Sequence, residues 1–270
     1  MNLSNIFNHR NRALLRELVA TEFKLRYQGS ALGYLWSLVR PLVLFAILLL
    51  VFGFILKITS SIEHYPVYLL LGIVLWNFFL EATNTGLQSI VSRGDLIRKI
   101  NFPKYIIVIS GTISALINLG ISMVVVMIFI IFAGVELRPV ALLFPLLVLE
   151  LYVLALALAF FLSALYVRYR DITYIWELGL QAAFYATPIL YPLSLVTGKS
   201  QLLAKLLLLN PMAQIVQDAR YILVTPETDT LIKLTHNWGL VVIPLFIVLA
   251  SVIGAGLYFR KNSPYFAEEV

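Results

Sequence analysis

"QLLAKLLLLNPMAQIVQDARYILV", residues 201–224, decides the fold of this chain. Read as one membrane span, it makes the number of crossings odd. Read as two short helices, it leaves the number even. The segment is apolar in patches, but it also holds Lys205, Asn210-Pro211, Gln217, Asp218 and Arg220. Each charge at the centre of a lipid-facing helix costs about 2.5–3.5 kcal/mol. Two short helices broken at Asn210-Pro211, packed against protein at the outer face or dipping partway in, avoid that cost.

The composition identifies lipid as the solvent. The 270 residues are 61% hydrophobic and 13% charged. Soluble domains sit near roughly 45–50% apolar and about 25% charged. Six segments have the about 20 mostly apolar residues of a span: 34–57, 67–90, 105–133, 140–166, 174–192 and 238–259. With the N-terminus cytoplasmic, thirteen Lys and Arg fall in the inner segments 1–33, 91–104, 167–173 and 260–270. The short outer loops 58–66 and 134–139 then hold only Arg138. This asymmetry places both termini inside. A seventh span at 201–224 would move Arg260 and Lys261 outside.

The expected fold is therefore an all-α integral membrane protein with six transmembrane helices and cytoplasmic N and C termini. Outer re-entrant helices lie between spans 5 and 6. Residues 1–33 form an N-terminal cytoplasmic segment with no visible cleavable signal. Within it, "RALLRELVATEFKLRY" (12–27) puts Leu14, Leu15, Leu18 and Leu25 on one helical face, interrupted by Glu22 and Arg26. With a basic polar side, it reads as an amphipathic helix at the membrane interface. The chain then turns at Gly29 and Gly33 into a single membrane domain, 34–270.

Polar residues at lipid depth are costly and face a bundle interior or a pathway. Asn77, Glu81, Asn84 and Gln88 are spaced four, three and four apart and form one stripe on the second span. The stripe is either interhelical hydrogen-bonding glue or a polar wall of a conduit or subunit seam. Arg40, before Pro41, either snorkels to the inner surface or pairs with Glu81. Glu177 and Gln181 repeat the four-residue spacing on the fifth span. Glu150 stands alone in the fourth. Tyr65, Tyr68, Trp76, Phe78, Phe79, Phe184, Tyr185, Tyr191 and Trp238 cluster toward the outer half, as an interfacial belt, as packing, or as flat faces along a glycan exit.

Cysteine is absent, so no disulfide or thiolate metal site exists. No phosphate loop, His-Glu-x-x-His, acidic metal cluster or Gly-x-Ser-x-Gly elbow occurs. The inner loops are too short for a catalytic domain, so the energy for any work comes from an ion gradient or a partner. "SRGDLIRKINFPK" (92–104) is long enough for one short helix, with Leu96, Ile97 and Ile100 on its apolar side and Pro103 ending it. "VRYRDIT" (167–173) is a second, smaller protrusion. Together with the basic surface helix they describe a receptor for a cytosolic subunit.

These stretches carry a family resemblance. "LRYQGSALGYLWSLVRPL" (25–42), "LIRKINFPK" (96–104), "YVRYRDI" (166–172), "ATPILYP" (186–192) and "LNPMAQIVQDAR" (209–220) occur in the order and spacing of one family. The chain resembles the membrane permease subunits of type-two ABC exporters of bacterial polysaccharides: O-antigen, teichoic acid and capsule. The resemblance implies a homodimer of six-span subunits in the bacterial plasma membrane, with two copies of a separate cytosolic nucleotide-binding subunit. It implies a polyprenyl-pyrophosphate-linked glycan as cargo. ATP and magnesium would sit on the partner, with no cofactor or metal bound by this chain and no nucleic acid partner. Asp95, Arg98, Lys99, Arg170 and Asp171 would then couple to the ATPase. Trp36, Arg40, Asn77, Glu81, Asn84 and Tyr185 would line the translocation path. An ABC permease for a drug or lipid is the alternative. A lipid-modifying membrane enzyme fits less well, for want of a catalytic constellation. Six spans without inverted repeats or coupled intramembrane acids disfavour an ion-coupled transporter.

Overall fold

The computed structural model describes residues 9–27, 33–56, 62–100 and 102–269. All regular elements among them are helical. The turn expected at Gly29 and residues 58–61 of loop 58–66 lie outside these residues. Helix α1 (His9–Tyr27) precedes α2 (Trp36–Leu48), which continues as a π-helix over Leu49–Ile55. Then come α3 (Tyr65–Ser92), α4 (Gly94–Lys99), α5 (Tyr105–Phe132) and α6 (Phe144–Arg168), the last entered through a 3-10 turn at Pro139–Leu143. Helix α7 spans Ile172–Ala186. The short α8 (Ser194–Thr197), α9 (Gln201–Leu208), α10 (Pro211–Leu223) and α11 (Leu231–Thr235) lead to α12 (Trp238–Asn262). A 3-10 turn at Ser263–Tyr265 and α13 (Phe266–Glu269) close the chain.

Among the described residues, five helices are long and apolar enough to cross a membrane: Trp36–Ile55, α3, α5, Pro139–Arg168 and Trp238–Glu269. Helix α3 is the hub. Its apolar window is 78% buried, against 28% or less in the other four. It packs chiefly on α5 and α6, and α12 packs on α6. The most polar span is central because lipid cannot satisfy its polar groups while neighbouring helices can.

Small residues set the spacing of this hub. Ser110, Gly111, Ser114, Ala115 and Asn118 of α5 are buried. Hydroxyls along these seams bond back within their own helix, Ser110 Oγ to the Ile107 carbonyl at 2.8 Å and Ser89 Oγ to that of Gly86 at 2.6 Å. At Gly86 the α3 backbone meets α6: a Cβ there would stand 2.3 Å from Ala159 Cβ and 3.0 Å from its Cα. Gly86→Val should therefore overpack the α3–α6 seam by about 1–3 kcal/mol. A lowered thermal midpoint in detergent checks this, with exposed Gly179→Val, which meets open space, as the control.

The fifth apolar segment differs from expectation. Helix α7 has only 15 residues, about 22 Å against a hydrocarbon core of about 30 Å. It stops at Ala186 because Thr187 precedes Pro188 and is extended, with φ −85° and ψ 132°. Residues 187–193 continue without helix. In the 201–224 stretch, α9 and α10 are separate helices. Asn210 divides them, its side chain accepting from the Met212 amide at 3.0 Å, with Pro211 in the first turn.

Helix α1 lies along α5. Leu18 is buried and Leu14 and Leu15 are half-buried in a cluster with Ile97, Ile106 and Phe259. Glu22, an interruption of the apolar face by pattern, is there for a partner: Arg93, at the end of α3, pairs with it at 3.2 Å. The side chains of Leu25 and Arg26 lie outside the described residues.

Candidate functional site

A cavity of about 670 Å³ opens between α2, α3 and α5. Five of the six conduit residues singled out by sequence line it: Trp36, Arg40, Asn77, Glu81 and Asn84. The stripe on α3 thus faces a space, apart from Gln88, which is exposed near the helix's C-terminal end. Tyr185 is elsewhere, exposed at the end of α7, its carbonyl accepting from the Tyr191 hydroxyl at 3.2 Å. The opposite wall holds residues that the sequence reading missed: Asn118 and Ser122 of α5. Their signal was present as a four-residue spacing on a span otherwise read as hydrocarbon. Asn118 Nδ2 donates to Glu81 Oε1 at 2.7 Å. Arg40 lies on the same cavity but on another helix, exposed.

The outer-half aromatics divide. Trp76 and Phe79 are buried, and Trp76 meets the Phe184 ring at 5.6 Å, Phe79 that of Trp176 at 6.5 Å. Trp176 Nε1 donates to Thr83 Oγ1 at 3.3 Å. These rings pack α7 on α3. The opposite face of α7 is exposed and carries Tyr174, Glu177, Gln181 and Tyr185, three and four residues apart, hence in one stripe.

Helix α10 is fastened by Arg220, which is wholly buried. Its guanidinium stacks 3.6 Å from the centre of the Tyr68 ring. It donates to the Tyr68 carbonyl at 3.0 Å, to those of Pro188 and Ile189, and to Gln217 Oε1 at 3.0 Å. Tyr65 adds a bond to the Leu190 carbonyl at 3.1 Å. One side chain thus gathers α3, α10 and the segment after α7. The rigid fork of five donors suits Arg, and no other residue, to such a task.

Beside it, Gln214 Nε2 donates to Asp218 Oδ2 at 2.5 Å, and Glu150 of α6 faces the same patch. Burial pushes the Asp218 carboxyl from 3.8 up to about 6, the Gln214 bond pulling the other way. A raised folded pKa means the folded state holds the proton more tightly. Its contribution is present below about pH 4 and is lost as pH rises through about 6. The thermal midpoint should thus fall between pH 4 and 7, by the equivalent of about 1–3 kcal/mol. Asp218→Asn should flatten that slope, with Glu150→Gln as the control for the neighbouring carboxyl.

At the other end, α4 presents Asp95, Arg98 and Lys99, all exposed. Arg98 pairs with Asp95 at 3.3 Å. The helix ends at Lys99, before Pro103, because Ile100 is already extended at φ −130°, ψ 130°. Ile97 is buried and roots the helix, while Ile100 is exposed. Arg170 and Asp171 form the tight turn between α6 and α7, both exposed, with the Arg170 guanidinium 5.2 Å from the centre of the Tyr166 ring. Among the described residues no cluster of His, Cys, Asp or Glu could hold a metal.

A helical bundle of apolar spans around a polar cavity, with charged protrusions at one end, is the build of a membrane permease. The profile of the family described as ABC-2 type transporter matches residues 13–224. The chain is 32% identical over 205 residues to the O-antigen export system permease protein RfbA of Myxococcus xanthus, covering 76% of this chain and 78% of that protein. It is 26% identical over 258 residues, 94% of each chain, to an O-antigen export system permease protein RfbA of Klebsiella pneumoniae. A shorter likeness, 33% over 73 residues, is to the polysialic acid transport protein KpsM of Escherichia coli. The chain belongs to the ABC-2 type transporter family. It is a transport subunit, not an enzyme, and a multi-pass protein of the bacterial inner membrane.

Proposed function

We propose that this chain is the permease subunit of an ABC exporter that moves an O-antigen-type polysaccharide outward on a polyprenyl-pyrophosphate carrier. Teichoic acid and capsule belong to the same cargo class. The observation that carries the reading is the cavity between α2, α3 and α5: a polar space inside an apolar bundle, lined by Asn77, Glu81 and Asn84. A polymer crossing lipid needs such a wall. The names of the relatives supply the cargo class.

In this reading the chain crosses six times. Helix α7 and the non-helical 187–193 together make the fifth crossing, with irregular backbone tolerated because Arg220 satisfies its carbonyls. Helices α8 to α11 are re-entrant or lie on the outer face, and both termini are cytoplasmic. Residues 1–33 serve as the interface segment of a single permease domain, 34–270. The exposed stripe Tyr174, Glu177, Gln181 and Tyr185 on α7 is unsuited to lipid. It supports a homodimer in which a second copy covers this face or shares the conduit. Two ATP-binding subunits, carrying the ATP and magnesium, dock on Asp95, Arg98, Lys99, Arg170 and Asp171.

Glu81→Leu paired with Asn84→Leu tests the cavity's role. Loss of the Glu81 acceptor leaves the Asn118 amide unpaired, a cost of about 1–3 kcal/mol. Surface polysaccharide should fall and lipid-linked polymer should accumulate inside, while the partner's ATP turnover persists. Glu81→Gln, which keeps an acceptor, should retain part of the export. Surface polymer at wild-type levels in the double variant would remove the cavity from the path.

A further inference from the structure

A second cavity, of about 660 Å³, lies at the end of the bundle that carries α4, away from the first. Its lining includes Phe102, Lys104, Phe160, Gly256, Phe259 and Arg260. The size is that of a small-molecule site, about 300–1,000 Å³. Its polarity is graded along the helix axes. Lys104 and Arg260 stand at the start of α5 and the end of α12. Gly256 lies one turn, about 6 Å, deeper, and Phe160 lies about 12 Å before the end of α6. The deep part is thus apolar and aromatic, the shallow part basic.

Neither cation is neutralised by a described ion pair. Lys104 Nζ donates to the Ser263 carbonyl at 2.6 Å, a neutral partner. Burial lowers its pKa, and Glu268 offsets this only in part. Phe266 stacks edge-on against Phe259 at 5.3 Å and Phe160 meets Phe259 at 4.9 Å, so the aromatic wall is packed from behind. Gly256 borders the open side of the cavity: it is exposed, and nothing lies within 4 Å of where its Cβ would stand.

We propose that this cavity binds one anionic phospholipid, its phosphate held by Lys104 and Arg260 and an acyl chain laid along Phe160, Phe259 and Gly256. Basic pockets between helices at the membrane surface suit anionic headgroups. The site requires only that the bundle spans the membrane, and it stands apart from the identity of the cargo. Because Lys104 also holds the carbonyls of Ser263 and Pro264, and the tail packs on α4, the bound lipid would brace α4 from behind.

The full-length chain, extracted in mild detergent and delipidated, is titrated with phosphatidylglycerol or phosphatidylcholine, and retained lipid is counted by native mass spectrometry. Phosphatidylglycerol should be preferred by about fivefold for each of the two cations. Arg260→Gln and Lys104→Gln should each lose about fivefold of that preference. Gly256→Leu has room to fold, fills the slot and should weaken both lipids. Excess inorganic phosphate should not displace the lipid, since it cannot use the apolar slot. Equal binding of the two lipids, undiminished retention by Gly256→Leu, or displacement by phosphate would each overturn the proposal.

Discussion

Arg220→Leu is expected to detach α10 from the bundle. The side chain is wholly buried and bonds the carbonyl of Tyr68 and those of the adjacent Pro188 and Ile189, far from Tyr68 in sequence. Leucine fills part of the volume but removes the donor to those carbonyls, at about 1–3 kcal/mol for each buried group left unsatisfied, while Gln217 Oε1 keeps its bond from the Tyr68 hydroxyl. A total loss of about 3 kcal/mol or more follows, in the range reserved for breaking a buried network. Arg220→Lys should recover little, because an ammonium cannot bond three carbonyls and stack on Tyr68 together. Gly72 offers an independent lesion: a Cβ there would stand 2.5 Å from Arg220 Nη2. Gly72→Ala should push the guanidinium off its carbonyls and lower the thermal midpoint in the same direction. Midpoints unchanged in both variants would show that α10 is held by its apolar contacts alone.

The second large effect is on coupling. Asp95→Arg and Arg170→Glu reverse charges on exposed protrusions, where substitutions change stability by only about 0.5 kcal/mol. Docking is another matter, since a misplaced like charge at an interface costs several kcal/mol. Each variant should bind the ATP-binding partner at least about thirtyfold more weakly. Export should be lost while the thermal midpoint stays put. Pull-down of the partner and the midpoint, measured on the same preparation, separate docking from misfolding.

Most spans were legible because lipid imposes a length and a composition on them, and α3, α5 and α12 lie within a few residues of the expected ranges. The break at Asn210-Pro211 was legible from local chemistry: a capping side chain, a residue without an amide proton, and charges that lipid would refuse. The polar stripe on α3 was legible as periodicity, but its opposite wall was not. Asn118 and Ser122 look incidental until α5 is placed beside α3. Arg220 shows the limit best. Its charge argued against a span, yet its partners are backbone carbonyls of elements as distant as Tyr68, and carbonyls leave no trace in a sequence. Glu22 is similar, a blemish on an apolar face until Arg93 is brought to it. The end of α7 was misjudged because apolar residues after Pro188 extend the hydrophobic run while the helix has already stopped.

In the proposed transporter the bundle carries the path and a separate subunit supplies the energy. Reconstituting the chain in proteoliposomes with lipid-linked polysaccharide, with and without the ATP-binding partner, tests this most directly. Protection of the polymer from an added glycosidase reports its transfer. Transfer should require both the partner and ATP, and should stop with Asp95→Arg. Transfer of the polymer by this chain alone, with no partner present, would contradict the account.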